Sequence, residues 1–293
     1  MNSPRLLLTR DDCAAVCRDS KRAGRTIALV PTMGYLHVGH EALLRRGRAL
    51  ADILVATIFV NPTQFGPGED LERYPRDLEG DLELCRSAGV DLVFAPADPA
   101  EMYPPGFQTR VTVEEVTRHF CGAKRPGHFR GVTTVVAKLF NLVGPDFAVF
   151  GEKDYQQLVT IRTMVRDLDM GIEIVGLPTV READGLALSS RNAMLGREAR
   201  ARAVCLVEGI RKAQAAFENG ERRADALTAA CRDVVERGAD SVDYVCLADP
   251  VTLEISGSES LADADSRLLV AACIEGVSGR VRLIDNAALG LRV

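Results

Sequence analysis

An α/β fold, a parallel sheet covered by helices on both faces and followed by a smaller α+β domain, is predicted by three observations. Short apolar runs alternate with helical periodicity through the first 180 or so residues. The most unusual loops each follow directly on one of those runs. Past about residue 185 the texture changes to long amphipathic patterns and hairpin-spaced strands.

The strand candidates of the first part are Ile27–Val30, Ile53–Val60, Asp91–Ala95, Phe147–Phe150 and Ile172–Val175. All are short and rich in Val, Ile or Phe, as strands buried on both faces are. Helical patterns lie near 41–50, 76–88, 131–143 and 154–168. Such alternation builds a Rossmann-like parallel sheet, and ligands of such sheets bind beyond the carboxyl ends of the strands. Loops 31–40, 61–70 and 151–154 are therefore expected to gather on one edge. In the second part, Arg197–Glu218 and Arg222–Arg237 read as long helices. Val242–Leu247, Arg267–Ile274 and Arg280–Ile284 read as strands, with Gly276 and Gly279 in the last turn. The boundary is expected at Asp184-Gly185, giving domains 1–184 and 185–293.

With 293 residues, 47% of them apolar, the chain can bury a sizeable core. Asp and Glu outnumber Lys and Arg by 41 to 36, a net charge of −5. That balance argues against a nucleic-acid or membrane surface while permitting a small anionic ligand held by local cations. Eight cysteines without a CxxC pair read as reduced, mostly buried thiols. The apolar run in Met1–Leu8 is too short for a signal peptide, and Ile53–Val60 is too short to span a bilayer. The expected location is the cytoplasm.

The most informative segment is Val30-Pro31-Thr32-Met33-Gly34-Tyr35-Leu36-His37-Val38-Gly39-His40. It reads as a strand end, a tight turn and a helix start, where N–H groups and a positive dipole end face an anion. His37 and His40 share one side of the first helical turn, and Gly39 leaves room for a phosphate. A zinc pair is the poorer reading, since helical zinc histidines stand four apart around a carboxylate base. Asn61-Pro62-Thr63-Gln64-Phe65-Gly66 follows the second strand. Gln64 can there recognise hydroxyl or carboxylate oxygens, although Asn-Pro and Phe-Gly are also ordinary turn pairs.

Gly151-Glu152-Lys153-Asp154-Tyr155-Gln156-Gln157 opens a helix, so Lys153 adds a cation to the dipole there, with Gln157 one turn on. Glu152 and Asp154 can hold that cation or a Mg²⁺; helix capping by Asp154 competes with this reading. Leu188-Ser189-Ser190-Arg191-Asn192 offers two hydroxyls and an Arg fork to phosphate oxygens, or is a polar linker. Lys124–Gly131 is a basic, turn-rich segment that either covers an anion or is solvated. Of the acidic residues Asp77, Glu79 and Asp81, Asp81 is the candidate metal ligand.

PTMGYLHVGH, NPTQFG, RPGHFRGV, GEKDYQQ and LSSRN together resemble the pantoate–β-alanine ligase family, within the HxGH nucleotidyltransferase superfamily. The likeness covers nearly the whole amino-terminal two-thirds and continues more loosely through Asp243-Tyr244 and Arg267–Asn286. It implies a nucleotide- and pantoate-binding first domain and a lid-like second one. It implies ATP-dependent condensation of pantoate with β-alanine through a pantoyl adenylate, releasing pyrophosphate and AMP, with Mg²⁺. ATP is then expected along Met33, Gly34, Tyr35, Leu36, His37, Val38, Gly39 and His40, along Gly151, Glu152, Lys153 and Asp154, and along Val180, Leu188, Ser189, Ser190 and Arg191. Gln64 matches a glutamine that meets pantoate and β-alanine, Gln157 one that meets pantoate, and His40 a proton donor. His37, His40 and Lys153 are the expected catalytic groups. The likeness also implies a homodimer. A transferase that stops at AMP transfer would share the histidine turn but has no need of two glutamines for an acid. A nucleotide-sensing module would not need so many cations.

Overall fold

The computed structural model describes residues 3–69, 71–277 and 279–293. The chain forms two compact units, one of Met1–Glu152 with Gln157–Pro178, the other of Lys153–Gln156 with Thr179–Val293.

The first unit contains β1 (Arg5–Leu7), α1 (Arg10–Arg22), β2 (Ile27–Thr32), α2 (Val38–Leu50), β3 (Ile53–Ile58), α3 (Leu78–Ser87), β4 (Leu92–Phe94), α4 (Pro99–Met102), α5 (Phe120–Lys124), α6 (His128–Val143), β5 (Phe147–Gly151), most of α7 (Tyr155–Asp167) and β6 (Glu173–Leu177). All six strands are parallel, in the order β1-β4-β3-β2-β5-β6. The chain winds outward from β2 through β3 to β4, then returns to the other side of β2 as β5. The β2–β5 pair, registered Ala28 to Phe147, is thus the point where winding reverses and where such sheets open a ligand crevice.

Ile27, Ala28, Leu29 and Val30 are fully buried, which explains the uninterrupted apolar run. α2 packs Leu44 against Ala28, Val30 and Leu54. Burying a leucine there stabilises by about 1.5–3 kcal/mol. Gly47 on α2 allows the close approach, since a β-carbon there would lie 2.7 Å from Leu54 Cδ1.

The second unit holds α8 (Arg197–Ala203), α9 (Cys205–Glu218), α10 (Ala224–Gly238) and an antiparallel sheet, β7 (Ser241–Ala248), β8 (Arg267–Gly276) and β9 (Gly279–Ala288), in the order β7-β8-β9. Leu206, Ile210, Leu227, Val235, Leu268 and Val270 belong to its core.

Three features depart from the sequence reading. β1 and α1 were not expected; α1 buries only Cys13, Cys17 and Ser20, so it shows no aliphatic stripe, although Thr9 caps it by accepting from the Asp12 N–H. The expected single helix Arg197–Glu218 is interrupted at Val204. Ala199, Ala203, Leu206 and Ile210 stay in one core across the break, so periodicity could not reveal it. The expected boundary at residue 184 falls inside the second unit, at the tip of a hairpin where Leu188 N–H bonds Val180 O at 3.0 Å. Ser278, between the two glycines of the β8–β9 turn, lies outside the described residues, as do Met1 and Asn2 of the amino-terminal segment.

Candidate active site

β2 ends in a turn that bends sharply. Thr32 Oγ1 donates to Thr57 O at 2.6 Å and accepts from Gly34 N–H at 3.2 Å. Gly34 and Tyr35 both take left-handed backbone angles, φ +85° and +54°. For Tyr35 that conformation is strained and must be held by its surroundings. The holder is Asp81, on the first turn of α3 and only 2% exposed. Its two oxygens accept the N–H groups of Tyr35 (2.9 Å) and Leu36 (2.6 Å). Burial raises the Asp81 pKa, and these two bonds oppose the rise.

Asp81, the expected metal ligand, thus also holds the turn through both of its carboxylate oxygens. Gly80 has a local role as well. Asp77 caps α3 by accepting from the Gly80 N–H at 3.0 Å, and a β-carbon at 80 would lie 2.5 Å from Asp77 Oδ2. Among the described residues no group of three or more His, Cys, Asp or Glu side chains is arranged to hold a metal. A Mg²⁺ that keeps its waters and binds phosphate oxygens needs no such cage.

His37 caps α2 and His40 stands in its first turn. His37 Nδ1 accepts the Gly39 N–H at 3.1 Å, and His40 Nδ1 accepts the His37 N–H at 3.3 Å. Each neutral imidazole consequently carries its proton on Nε2. The rings are 4.2 Å apart and tilted by 51°. The backbone amides of Tyr35, Leu36, His37 and Gly39 bond within the protein, and each ring carries an Nε2–H donor beside its engaged Nδ1.

After β3, residues Pro62–Gln64 form one tight turn. Gln64 Nε2 donates to Met33 Sδ at 3.1 Å, which joins this loop to the histidine turn. The basic segment before α6 grips the same loop from behind. His128 Nδ1 lies 2.8 Å from Gln64 O, and Arg125 reaches that carbonyl at 3.4 Å while pairing with Glu69 through Nε at 2.8 Å. Because Arg125 Nη1 donates to His128 Nε2 at 3.1 Å, the His128 proton sits on Nδ1, directed at Gln64 O. The Arg125 guanidinium holds the Glu69 carboxyl below its ordinary range. Arg125 and His128 of this segment thus clamp the glutamine loop, a role the sequence did not show. Gly151 and Glu152 stand at the end of β5, and Gln157, half-buried on α7, enters none of these hydrogen bonds.

In the second unit, Lys153 sits on the short turn before α7, 3.7 Å from Asp154. Its backbone is fixed from β9, where Asn286 Nδ2 donates to Lys153 O at 2.8 Å. Asn286 is oriented by Arg267 Nε at 2.8 Å, and the Arg267 guanidinium lies 3.9 Å over the Tyr155 ring. Val180 and Leu188 pair across the hairpin, which Arg181 ties to buried Asp285 with bonds of 2.7 and 2.9 Å. Ser189 caps the turn Ser190–Met194 by accepting from the Arg191 N–H, which places Ser190 and Arg191 at its start. The parts played by Asn286 and Arg267 escaped the sequence reading because nothing local marks a long-range hydrogen-bond partner.

A doubly wound parallel sheet whose central strand runs into a histidine-capped helix defines an α/β protein of the class that binds its ligands beyond the strands' carboxyl ends. The family model described as pantoate-beta-alanine ligase matches residues 5–288. A pantothenate synthetase of Geotalea uraniireducens is 52% identical over 98% of this chain and 99% of its own. One from Anaeromyxobacter dehalogenans is 54% identical over 99% and 100%. The crystal structure of the Thermus thermophilus pantothenate synthetase superposes with a TM-score of 0.89 at 46% identity, covering 97% of this chain and 99% of that one. A Francisella tularensis pantoate-beta-alanine ligase, crystallised with beta-gamma ATP and beta-alanine, gives 0.79 at 30% identity over 98% of both chains. The chain belongs to the pantoate–β-alanine ligase family, and its activity is the ligation of pantoate to β-alanine to give pantothenate.

Proposed function

We propose that ligation proceeds by adenylation, with ATP as co-substrate bound as its Mg²⁺ complex. A pantoate carboxylate oxygen attacks the α-phosphorus, the bond to the β-phosphate oxygen breaks, and pyrophosphate leaves. The β-alanine nitrogen then attacks the acyl carbon of pantoyl adenylate, the carbon–oxygen bond to phosphate breaks, and AMP departs while the nitrogen loses a proton. A Mg²⁺ bound with the triphosphate would supply charge neutralisation there.

The observation that carries this reading is the paired Nε2–H presentation of His37 and His40 at the sheet's switch point. Two fixed donors suit charge that grows on phosphate oxygens as the α–β bond breaks. His40 in this reading is a hydrogen-bond donor to that charge, and a full proton transfer is not required of it. ATP contacts are assigned to Met33–His40, Gly151–Asp154, Val180 and Leu188–Arg191, with Lys153 as the full cation. Gln64 is assigned to pantoate and β-alanine, and Gln157 to pantoate. The enzyme works as a homodimer in the cytoplasm and feeds coenzyme A synthesis. The test is pantoate-dependent exchange of labelled pyrophosphate into ATP without β-alanine. Exchange is expected; its absence from protein that makes pantothenate would rule out the adenylate.

A further inference from the structure

Gln64 can contribute two N–H donors or a carbonyl acceptor, and which it offers decides what it recognises. The protein settles the choice through Asn61, a side chain only 1% exposed. Asn61 Nδ2 donates to Gly131 O at 3.2 Å, and Asn61 Oδ1 accepts the Thr63 N–H at 3.3 Å. A backbone carbonyl can only accept and a backbone N–H can only donate. The orientation of the Asn61 amide is therefore dictated by main chain on both sides.

Tyr103 closes the arrangement. Its hydroxyl donates to Asn61 Oδ1 at 2.8 Å and lies 3.1 Å from Thr63 Oγ1, which donates to the same oxygen at 2.9 Å. Burial raises the Tyr103 pKa, which keeps this hydroxyl a donor. Its ring is steadied edge-on by Phe107 at 5.2 Å. With Asn61 so held, Nδ2 donates to Gln64 at 3.0 Å, and the Gln64 atom it meets must be Oε1. Nε2 then points the other way, one hydrogen resting on Met33 Sδ. A thioether sulfur is a weak acceptor, so an oxygen displaces it at small cost.

We propose that Tyr103 and Asn61 are positioning residues that lock Gln64 as a donor-only group, so that it selects an electron-rich oxygen of pantoate. The proposal rests on the assignment of Gln64 to pantoate. It gives two residues that do not touch the reacting atoms a defined part in substrate choice. An Asn61→Asp change keeps the shape but sets a carboxylate oxygen against Gly131 O and Gln64 Oε1. The cheapest relief is a flip of the Gln64 amide, which would turn its carbonyl toward pantoate.

The test is steady-state kinetics of the full chain for Gln64→Ala, Asn61→Asp and Tyr103→Phe, with melting temperatures as a check on folding. For Asn61→Asp the pantoate KM should rise at least about 30-fold while the ATP KM moves less than about 3-fold, since a mis-polarised buried partner is rejected strongly. Relative to the parent enzyme, this defect should shrink as pH falls from about 8 to 5.5, because a protonated Asp regains an O–H donor. Tyr103→Phe should raise the pantoate KM about 3- to 10-fold, the worth of one hydrogen bond. If Gln64→Ala leaves the pantoate KM unchanged, the assignment of Gln64 fails and the proposal with it. If Gln64→Ala raises that KM while Asn61→Asp raises pantoate and ATP KM equally, or without pH-dependent recovery, the assignment stands and the lock is overturned.

Discussion

The histidine turn and the lysine turn both set a charged or polarised donor at the start of a helix, and they do so by opposite means. His37 and His40 cap the chain reciprocally within four residues, and one carboxylate, Asp81, completes the turn. Lys153 is held by a bond to its carbonyl from Asn286, 133 residues further on, and Asn286 in turn needs Arg267. The first device is nearly self-contained; the second exists only once the antiparallel sheet has formed. A local cap tolerates change elsewhere in the fold, whereas a borrowed anchor transmits it.

The sharpest way to break this comparison is to remove the donors themselves. His40→Ala and Lys153→Ala should each slow adenylation by about 100- to 1000-fold in single-turnover measurements. Near-normal rates for either would remove it from the reaction. Next come the supports. Asp81→Asn leaves only one amide oxygen for two N–H groups and should cost about 1.5–3 kcal/mol of stability in denaturant titration. Asn286→Ala should lower the adenylation rate about tenfold, the value of one hydrogen bond, with the pantoate KM unmoved. A loss as large as that of Lys153→Ala would mean that Asn286 does more than anchor.

The smallest effect is expected at Glu69. Its pKa is lowered, so the stability it contributes is present above its ordinary value of 4.5 and is lost as pH falls through the folded value. Melting temperatures of the parent and Glu69→Gln should differ at neutral pH and converge in acid. A constant difference would show that Glu69 acts by packing alone.

The parallel sheet was legible because strands buried on both faces leave unbroken apolar runs, as Ile27–Val30 and Ile53–Ile58 do. The histidine turn was legible because most of its parts lie within a dozen residues. The bonds from Asp81 to the turn were not legible, because an acidic residue in a sequence carries no sign of what meets it. α1 stayed hidden because its buried face is cysteine and serine, and the Val204 break because the apolar stripe runs through it in phase. The clamp of Arg125 and His128 on the Gln64 carbonyl, and the links from Tyr103 to Asn61 and from Asn286 to Lys153, are long-range pairings that periodicity does not register.

Gly131 carries a consequence for anyone rebuilding this enzyme. A β-carbon there would sit 2.3 Å from Thr63 O and 2.7 Å from Gln64 Cα, so even a methyl group would push the glutamine loop off its seat. Two stretches some 70 residues apart thus behave as one interchangeable cassette. Grafting a loop from a relative with altered acid preference should succeed only when the matching start of α6 travels with it.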